Sequence, residues 1–121
     1  MTRGHTITIT PSNVHVEISV KGHVVAESDR PVVLNETGMP ARYYLRRDDV
    51  RTDLLRRTNF HTSCPFKGQA SYWSLELEGE VFDGIAWSYE TPIAGAEPIA
   101  GLLCFYQERV DLRVGATERT S

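Results

Sequence analysis

Hydrophobic side chains fall at alternate positions along much of this 121-residue chain, and this period constrains the fold more than any other feature. Near the N-terminus the pattern is carried by Ile7, Ile9, Val14, Val16, Ile18 and Val20. Side chains two residues apart point to the same side of a strand, so the spacing predicts strands with one buried face. The pair Lys21 and Gly22 interrupts the pattern, and we therefore expect a hairpin over residues 14–27.

Strand character continues through the rest of the chain. It is found at residues 31–34, 43–45, 70–77, 81–89, 99–106 and 110–114. Residues 58–68 and 90–98 are predicted loops, and the run 99–106 is apolar enough for a buried strand, although its period also allows a helix. Seven or more short strands predict a single, mainly β domain, a compact barrel or sandwich, with its core at about residues 7–114. Residues 115–121 are expected to form a frayed tail.

One segment has helical spacing. Asp48 and Asp49 occupy positions suited to an N-cap, and Leu54 and Leu55 follow at helical intervals. Two arginines come next, where the negative end of a helix favours positive charge. The sequence therefore predicts one short helix near residues 48–57.

Charge and composition exclude several classes of partner. The formal net charge is −3 and the basic residues form no block, which predicts no nucleic-acid partner. No stretch approaches the roughly 20 apolar residues that span a bilayer, and the first ten residues lack the apolar core of a signal peptide. We therefore expect no membrane partner and a cytoplasmic location.

The segment 62–68 brings a thiol and a rare ammonium group together. Cys64 and Lys67 lie in it, and Lys67 is one of two lysines beside eleven arginines. A nearby cation lowers the pKa of a thiol, and a lysine can bind an anion or, when desolvated, attack a carbonyl. The competing interpretation is structural: Cys64 would be a small buried residue and Lys67 a surface charge beside a turn.

Aromatic residues concentrate in and after this segment. They are Phe66, Tyr72, Trp73, Trp87 and Tyr89. Trp87 and Tyr89 would share one face of a strand. Large rings with hydroxyl groups are typical of pockets for flat organic ligands, but the same rings would also serve as hydrophobic core.

Several familiar kinds of chemistry lack a sequence signature. The four histidines are scattered at His5, His15, His23 and His61. Together with Cys64 and Cys104 they show none of the spacings typical of zinc, so we predict no metal and no other cofactor. His61 would act as a base for Cys64 only if the loop folded back. The chain contains neither a G-x-x-x-x-G-K-[ST] phosphate loop nor a G-x-G-x-x-G turn.

A family resemblance rests on several segments taken together. They are residues 36–50, 62–68, 70–73, 86–89, 99–106 and 109–111. In these segments the chain resembles a family of small bacterial and fungal proteins, domain of unknown function 427, over about residues 14–114. The resemblance implies a β-rich domain similar to the Mss4-like β-tents, several of which bind zinc, although this chain lacks their cysteine pairs. The family also carries a nucleotidyltransferase label, whereas this chain shows no triphosphate loop and no convergent pair of aspartates.

The resemblance also selects residues. Its pattern includes Glu36, Tyr44, Arg47, Cys64, Lys67, Gly68, Trp73, Trp87 and Tyr89. Phe66 stands where the family often has tyrosine, so a hydroxyl is missing there. Such a set of charged and aromatic residues implies a shared pocket beside the loop that contains Cys64 and Lys67.

Our first hypothesis is therefore a small-molecule pocket. The candidate catalytic residues are Lys67, Glu36, Tyr44 and Cys64, and the candidate ligand-binding residues are Arg47, Trp73, Trp87 and Tyr89. Lys67 and Arg47 would bind a carboxylate or phosphate, Glu36 and Tyr44 would move or position protons, and the three rings would hold an apolar body. The expected reaction, if there is turnover, is acid–base chemistry on a small anionic or carbonyl compound.

Two other functions stay open. In one, the domain is a non-catalytic ligand-binding or protein-interaction module whose tryptophans and tyrosines form an exposed patch or a homodimer interface. In the other, Cys64 is a redox-active or peroxide-reactive thiol. The residues alone do not decide between an enzyme and a binding module, and they do not identify the ligand.

Overall fold

Strands occupy most of the chain that the computed structural model describes, which covers residues 4–115. The ten strands of this part are β1 (Ile7–Pro11), β2 (His15–Val20), β3 (His23–Ser28), β4 (Val32–Glu36), β5 (Arg42–Tyr44), β6 (Leu55–Cys64), β7 (Gly68–Leu77), β8 (Glu80–Ser88), β9 (Leu103–Phe105) and β10 (Asp111–Gly115). Short 3-10 turns lie at Arg47–Asp49, Thr52–Leu54, Glu97–Ile99 and Gln107–Arg109. The mainly β fold class predicted from the period is confirmed.

The strands form three antiparallel sheets rather than one closed barrel. Their strand orders are β1-β4-β5, β10-β2-β3 and β6-β7-β8-β9. An isolated bridge between Leu45, which follows β5, and Leu103 of β9 links two of the sheets, and a bridge between Ala26 and Val50 joins β3 to the segment before β6. The expectation of a barrel was therefore wrong, because single bridges replace the continuous hydrogen-bonded ladder that closes a barrel.

The four-stranded sheet has a hydrophobic core on each face. Ala86 and Phe105 are cross-strand partners and belong to the core shared with β2 and β3. The adjacent cross-strand pair is Trp87 and Cys104, and it belongs to the core shared with β1, β4 and β5. Because successive side chains of a strand point to opposite faces, one sheet supports both cores, and each core recruits its own covering sheet.

The helix predicted near residues 48–57 is not formed. Two 3-10 turns and the start of β6 take its place. Asp49 caps no helix: its carboxylate accepts hydrogen bonds from Ser28 Oγ (2.7 Å) and Arg30 Nε (3.3 Å). Arg51 N donates to Val25 O at 2.8 Å. The backbone of this segment thus hydrogen-bonds to β3. This pairing replaces the predicted helix because an isolated helix of that length is only marginally stable.

Two further boundaries differ from the sequence prediction. The segment 58–68 is mostly strand, because β6 and β7 form a hairpin. Cys64 and Gly68 are the cross-strand partners that flank its turn. Within 99–106, strand structure is confined to Leu103–Phe105. Of the predicted tail, Gly115 is the last residue of β10, and residues 116–121 lie outside the described part. No helix between residues 4 and 115 has the length and apolar character needed to cross a membrane.

Candidate functional site

A recess opens between β4–β5 and the face of the four-stranded sheet that carries Trp87. Its volume is about 170 Å³. It is lined by Leu34, Glu36, Met39, Pro40, Arg42, Lys67, Tyr72, Trp87, Tyr89 and Tyr106. A larger groove of about 680 Å³ runs along residues 107–113, but it is flatter and no aromatic ring lines it in the described chain. The recess is therefore where ionisable groups and aromatic rings meet.

Glu36 and Lys67 form an ion pair in the recess. Lys67 Nζ donates to Glu36 Oε1 at 2.9 Å, and their side chains are only 13% and 14% exposed respectively. Glu36 is the last residue of β4, whereas Lys67 lies at the tip of the β6–β7 hairpin. Two residues 31 positions apart are thus brought together by sheet packing.

The hairpin tip is held in place by backbone contacts. Lys67 N donates to Cys64 O at 3.3 Å, and Ile93 N donates to Lys67 O at 3.0 Å. Gly68 has a φ of +118°, a conformation that side-chain-bearing residues rarely adopt. A Cβ at this position would lie 3.3 Å from the Cα of Pro92. The glycine that follows Lys67 therefore permits the close approach of the 91–93 segment that fixes the tip.

A third ionisable residue, His5, contacts the carboxylate of this ion pair, and it was not among the predicted site residues. His5 Nε2 lies 2.8 Å from Glu36 Oε2, and the His5 ring stacks on Phe66 with centroids 4.3 Å apart. Burial by itself would raise the pKa of Glu36, but the hydrogen bonds from Lys67 and His5 outweigh it and hold that pKa below its ordinary value. Glu36 is therefore a carboxylate at neutral pH, with a partner at each oxygen.

Aromatic side chains form the floor of the recess. Trp87 Nε1 donates to the hydroxyl of Tyr44 at 3.0 Å, and Tyr44 is 1% exposed. Lys67 Nζ lies 5.9 Å from the ring centroid of Tyr89. Burial raises the pKa of both Tyr44 and Tyr89, so both hydroxyls keep their protons at neutral pH. Tyr44 does not line the recess: it supports Trp87 from below.

Six of the ten lining residues were missing from the predicted site, and three of the six, Arg42, Tyr72 and Tyr106, carry polar groups. Arg42 places its guanidinium carbon 5.3 Å from the Trp87 ring centroid. Tyr106 lies 4.5 Å from the same ring and stacks on Tyr72 at 6.5 Å. The pKa of Tyr106 is raised to about 12, mainly by burial and secondly by a hydrogen bond with Tyr72. Arg42 had a detectable signal, since it precedes Tyr44 by two positions and a strand places both on one face.

Arg47 and Trp73 lie away from the recess and belong to a second network. Arg47 Nε donates to Gly101 O at 2.9 Å, and its guanidinium also bonds Glu90. The same guanidinium lies 5.0 Å from the Trp73 ring centroid, and Trp73 Nε1 donates to Ser88 Oγ at 3.0 Å. Trp73 is the cross-strand partner of Ala86, so it faces the opposite core. The structure does not bring these two residues to Lys67.

Cys64 is half-buried, packs against the core beneath the recess and does not line the recess itself. His61 precedes it by three positions on β6. Three positions along a strand place side chains on opposite faces, so the strand does not present His61 to the thiol. Cys104 is fully buried, and burial raises its pKa to about 12. Both cysteines are free thiols.

One group of potential metal ligands exists elsewhere, on the outer face of β2 and β3. Ligand atoms of His15, Glu17 and Glu27 lie within 4.8 Å of one another. The His15 ring bonds Glu27 at 2.9 Å through Nε2 and Asp29 through Nδ1. The hydrogen bond with Asp29 contributes most to raising the pKa of His15. These contacts describe a surface ion-pair network.

Comparison with known families places the chain in one of them. A family model described as a domain of unknown function, DUF427, matches residues 8–115. The chain belongs to the DUF427 family. The DUF427 match includes every residue that lines the recess, whereas His5 precedes it. The family's function is unknown and its nucleotidyltransferase label is a name only, so membership assigns no reaction. Among curated proteins, a search finds no match to this chain.

Proposed function

We propose that the recess binds a small organic molecule and that Lys67 supplies acid–base or electrostatic catalysis on a small anionic or carbonyl compound. One observation carries the proposal: an almost fully covered ion pair, Lys67–Glu36, lines a recess together with four aromatic side chains. Concave sites with apolar walls and a few convergent polar groups are typical of ligand pockets. A covered ion pair is also costly to assemble, which favours a functional reason for it.

The ammonium of Lys67 suits the role of donor. A lysine has three N–H donors, and one of them is directed to Glu36. The others remain available for a ligand oxygen. A carbonyl oxygen on which negative charge develops would be stabilised by this fixed positive charge, and the ammonium would donate a hydrogen bond to that oxygen. Lys67 would thus act on the transition state more strongly than on the bound ground state.

The remaining predicted residues take supporting roles in this proposal. The lowered pKa of Glu36 makes it a weak base. Its role in this proposal is therefore to hold the ammonium of Lys67 in place rather than to accept a proton. Tyr44 positions Trp87, and the protonated hydroxyl of Tyr89 orients the ligand. Cys64 packs beneath the site. The cytoplasmic location and the likeness to Mss4-like β-tents stay predictions.

The test compares Lys67→Met with Lys21→Met, a change at the other lysine, whose side chain is 60% exposed. Amide chemical shifts of the full chain are followed by NMR during titration with small carbonyl compounds, such as pyruvate, acetone and acetamide. We expect shift changes clustered around Lys67 and Trp87, lost in Lys67→Met and kept in Lys21→Met. Lys67→Arg, which keeps the charge, separates loss of the positive charge from loss of the ammonium group itself. Absence of clustered shifts with every compound would overturn the proposal.

A dimerising module is the second candidate function, and one feature favours it. β6 is an edge strand of its sheet and pairs only with β7 within the described residues. It carries Phe60, whose side chain is 61% exposed. Long exposed edges with apolar residues are templates for pairing with another chain. Analytical ultracentrifugation over a range of concentrations, with Phe60→Ser as the variant, tests this function: a monomer at all concentrations eliminates it.

A further inference from the structure

Arg42 is the positive group of the recess whose charge is least compensated. Its side chain is 15% exposed, and its closest carboxylate is Glu108, with a long separation of 3.4 Å between Nη1 and Oε1. The Glu108 side chain is itself 63% exposed, so water screens much of its charge. Lys67, in contrast, has a covered carboxylate at 2.9 Å.

The guanidinium also has unused hydrogen-bond donors. Arginine carries five N–H donors in a planar fork. Among residues 4–115, Glu108 is the acceptor that hydrogen-bonds to Arg42. The guanidinium lies over the Trp87 ring, and both residues line the recess. A planar carboxylate matches such a fork with two parallel hydrogen bonds, which gives both affinity and orientation.

The charges of the recess select an anion with a single negative charge. Glu36 neutralises Lys67, because the two atoms of the pair are 2.9 Å apart. Arg42 then leaves one positive charge in the lining. A monoanion would neutralise that charge, whereas a dianion such as phosphate would leave excess negative charge near Glu36. The lining therefore disfavours phosphate.

The volume limits the size of the ligand. A recess of about 170 Å³ is smaller than the pockets that hold drug-sized molecules. At about 30 Å³ for each water molecule of the liquid, it corresponds to about six waters. A ligand held wholly within it has a similar number of non-hydrogen atoms, which is fewer than a nucleotide has.

We propose that the recess takes a small monocarboxylate, with the carboxylate held by Arg42 and a carbonyl or hydroxyl oxygen at the other end held by Lys67. This inference rests on the proposed function of the recess and names its substrate class. It also reassigns the role that the sequence analysis gave to Arg47, since that guanidinium is bonded to Glu90 and Gly101 in the other network.

The experiment titrates the full chain with three probes and reads both affinity and NMR shifts. The probes are pyruvate, its neutral analogue pyruvamide, and inorganic phosphate, all in mildly alkaline buffer, in which phosphate is a dianion. The variants are Arg42→Gln and Arg42→Lys, and the matched control is Arg46→Gln, at an exposed arginine nearby. Thermal unfolding of each variant confirms that it is folded. Arg42→Lys keeps the charge and loses the planar fork, so it remains informative if Arg42→Gln does not fold.

We expect pyruvate to bind at least tenfold more tightly than pyruvamide and phosphate. Arg42→Gln should remove at least tenfold of the affinity for pyruvate and leave that for pyruvamide unchanged, and Arg42→Lys should fall between Arg42→Gln and the wild type. Equal affinities for pyruvate and pyruvamide, or binding that Arg42→Gln does not weaken, would overturn the substrate class while the proposed function stands. Phosphate binding as tight as that of pyruvate would overturn the preference for a monoanion. Failure of these three probes alone to shift the recess would overturn the substrate class, and failure of acetone and acetamide as well would overturn both proposals.

Discussion

The charges of Glu36 and Lys67 should be coupled measurably in the folded protein. At 2.9 Å and an effective dielectric constant of about 20, the Coulomb attraction is about 6 kcal/mol. Removing the two charges from water costs several kcal/mol per ion. The pair is about seven-eighths covered, so its net coupling should lie between about 1 kcal/mol for surface pairs and about 3–5 kcal/mol for breaking a buried pair. We expect about 2 kcal/mol.

A double-mutant cycle measures this coupling. The proteins are the wild type, Lys67→Met, Glu36→Gln and the double variant, unfolded in urea at pH 7. The same cycle with Arg51→Met and Asp53→Asn serves as a control, because that pair is also 2.9 Å apart but its side chains are 57% and 63% exposed. We expect the smaller coupling for the control and little effect of 1 M salt on the first pair. A coupling below about 0.5 kcal/mol for Glu36–Lys67, or one no larger than the control, would refute the reasoning.

Three further outcomes are expected. The pKa of Glu36 in the folded protein is below its ordinary value of 4.5. The stability advantage of the wild type over Glu36→Gln should therefore be complete above about pH 4.5 and decrease as the pH falls through the folded-state pKa. A difference in Tm between the two proteins that stays constant from about pH 7 to about pH 3 would contradict this. Gly68→Ala should cost about 1–3 kcal/mol in urea unfolding, because of its φ and the contact with Pro92, and it should cost more than Gly84→Ala, whose Cβ would meet open space. Iodoacetamide should label at most Cys64 in the native protein and also Cys104 in urea, since Cys104 is 1% exposed; mass spectrometry of the labelled peptides checks this.

The period of two in the hydrophobic residues was sufficient to predict the fold class. Val16, Ile18 and Val20 alternate in sequence, and all three are buried in one core. The hairpin predicted over residues 14–27 corresponds to β2 and β3. This alternation predicts a strand correctly because each strand has its own buried face, whichever strands it pairs with.

The same kind of signal misled us at Asp48 and Leu55. Their spacing fits a helix, but Leu55 begins β6, and the pairing of neighbouring residues with β3 decides the local conformation. Residues 58–64 were predicted as a loop, whereas the structure places them in β6 and confines the turn to residues 65–67. Tertiary pairing overrides weak local preferences wherever the alternative is a helix of only two or three turns.

The site was partly predictable. Lys67 and Glu36 were both named from the sequence, and so were Trp87 and Tyr89, and the structure places all four in the lining of one recess. Arg42 was missed, although it precedes Tyr44 by two positions on β5 and a strand places both residues on one face. Whether these residues bind or transform a ligand stays a prediction, which the titrations above test.

By itself, the sequence determined that the chain forms strands with buried faces and which residue types were available for chemistry, because these properties depend on spacing and side-chain composition. Only the tertiary structure decided which faces meet. One sheet carries a core on each side, and neighbouring residues of its strands therefore contribute to different sites: Trp87 lines the recess, whereas Trp73 faces the other network. That choice is set by packing between sheets, which depends on contacts between residues far apart along the chain.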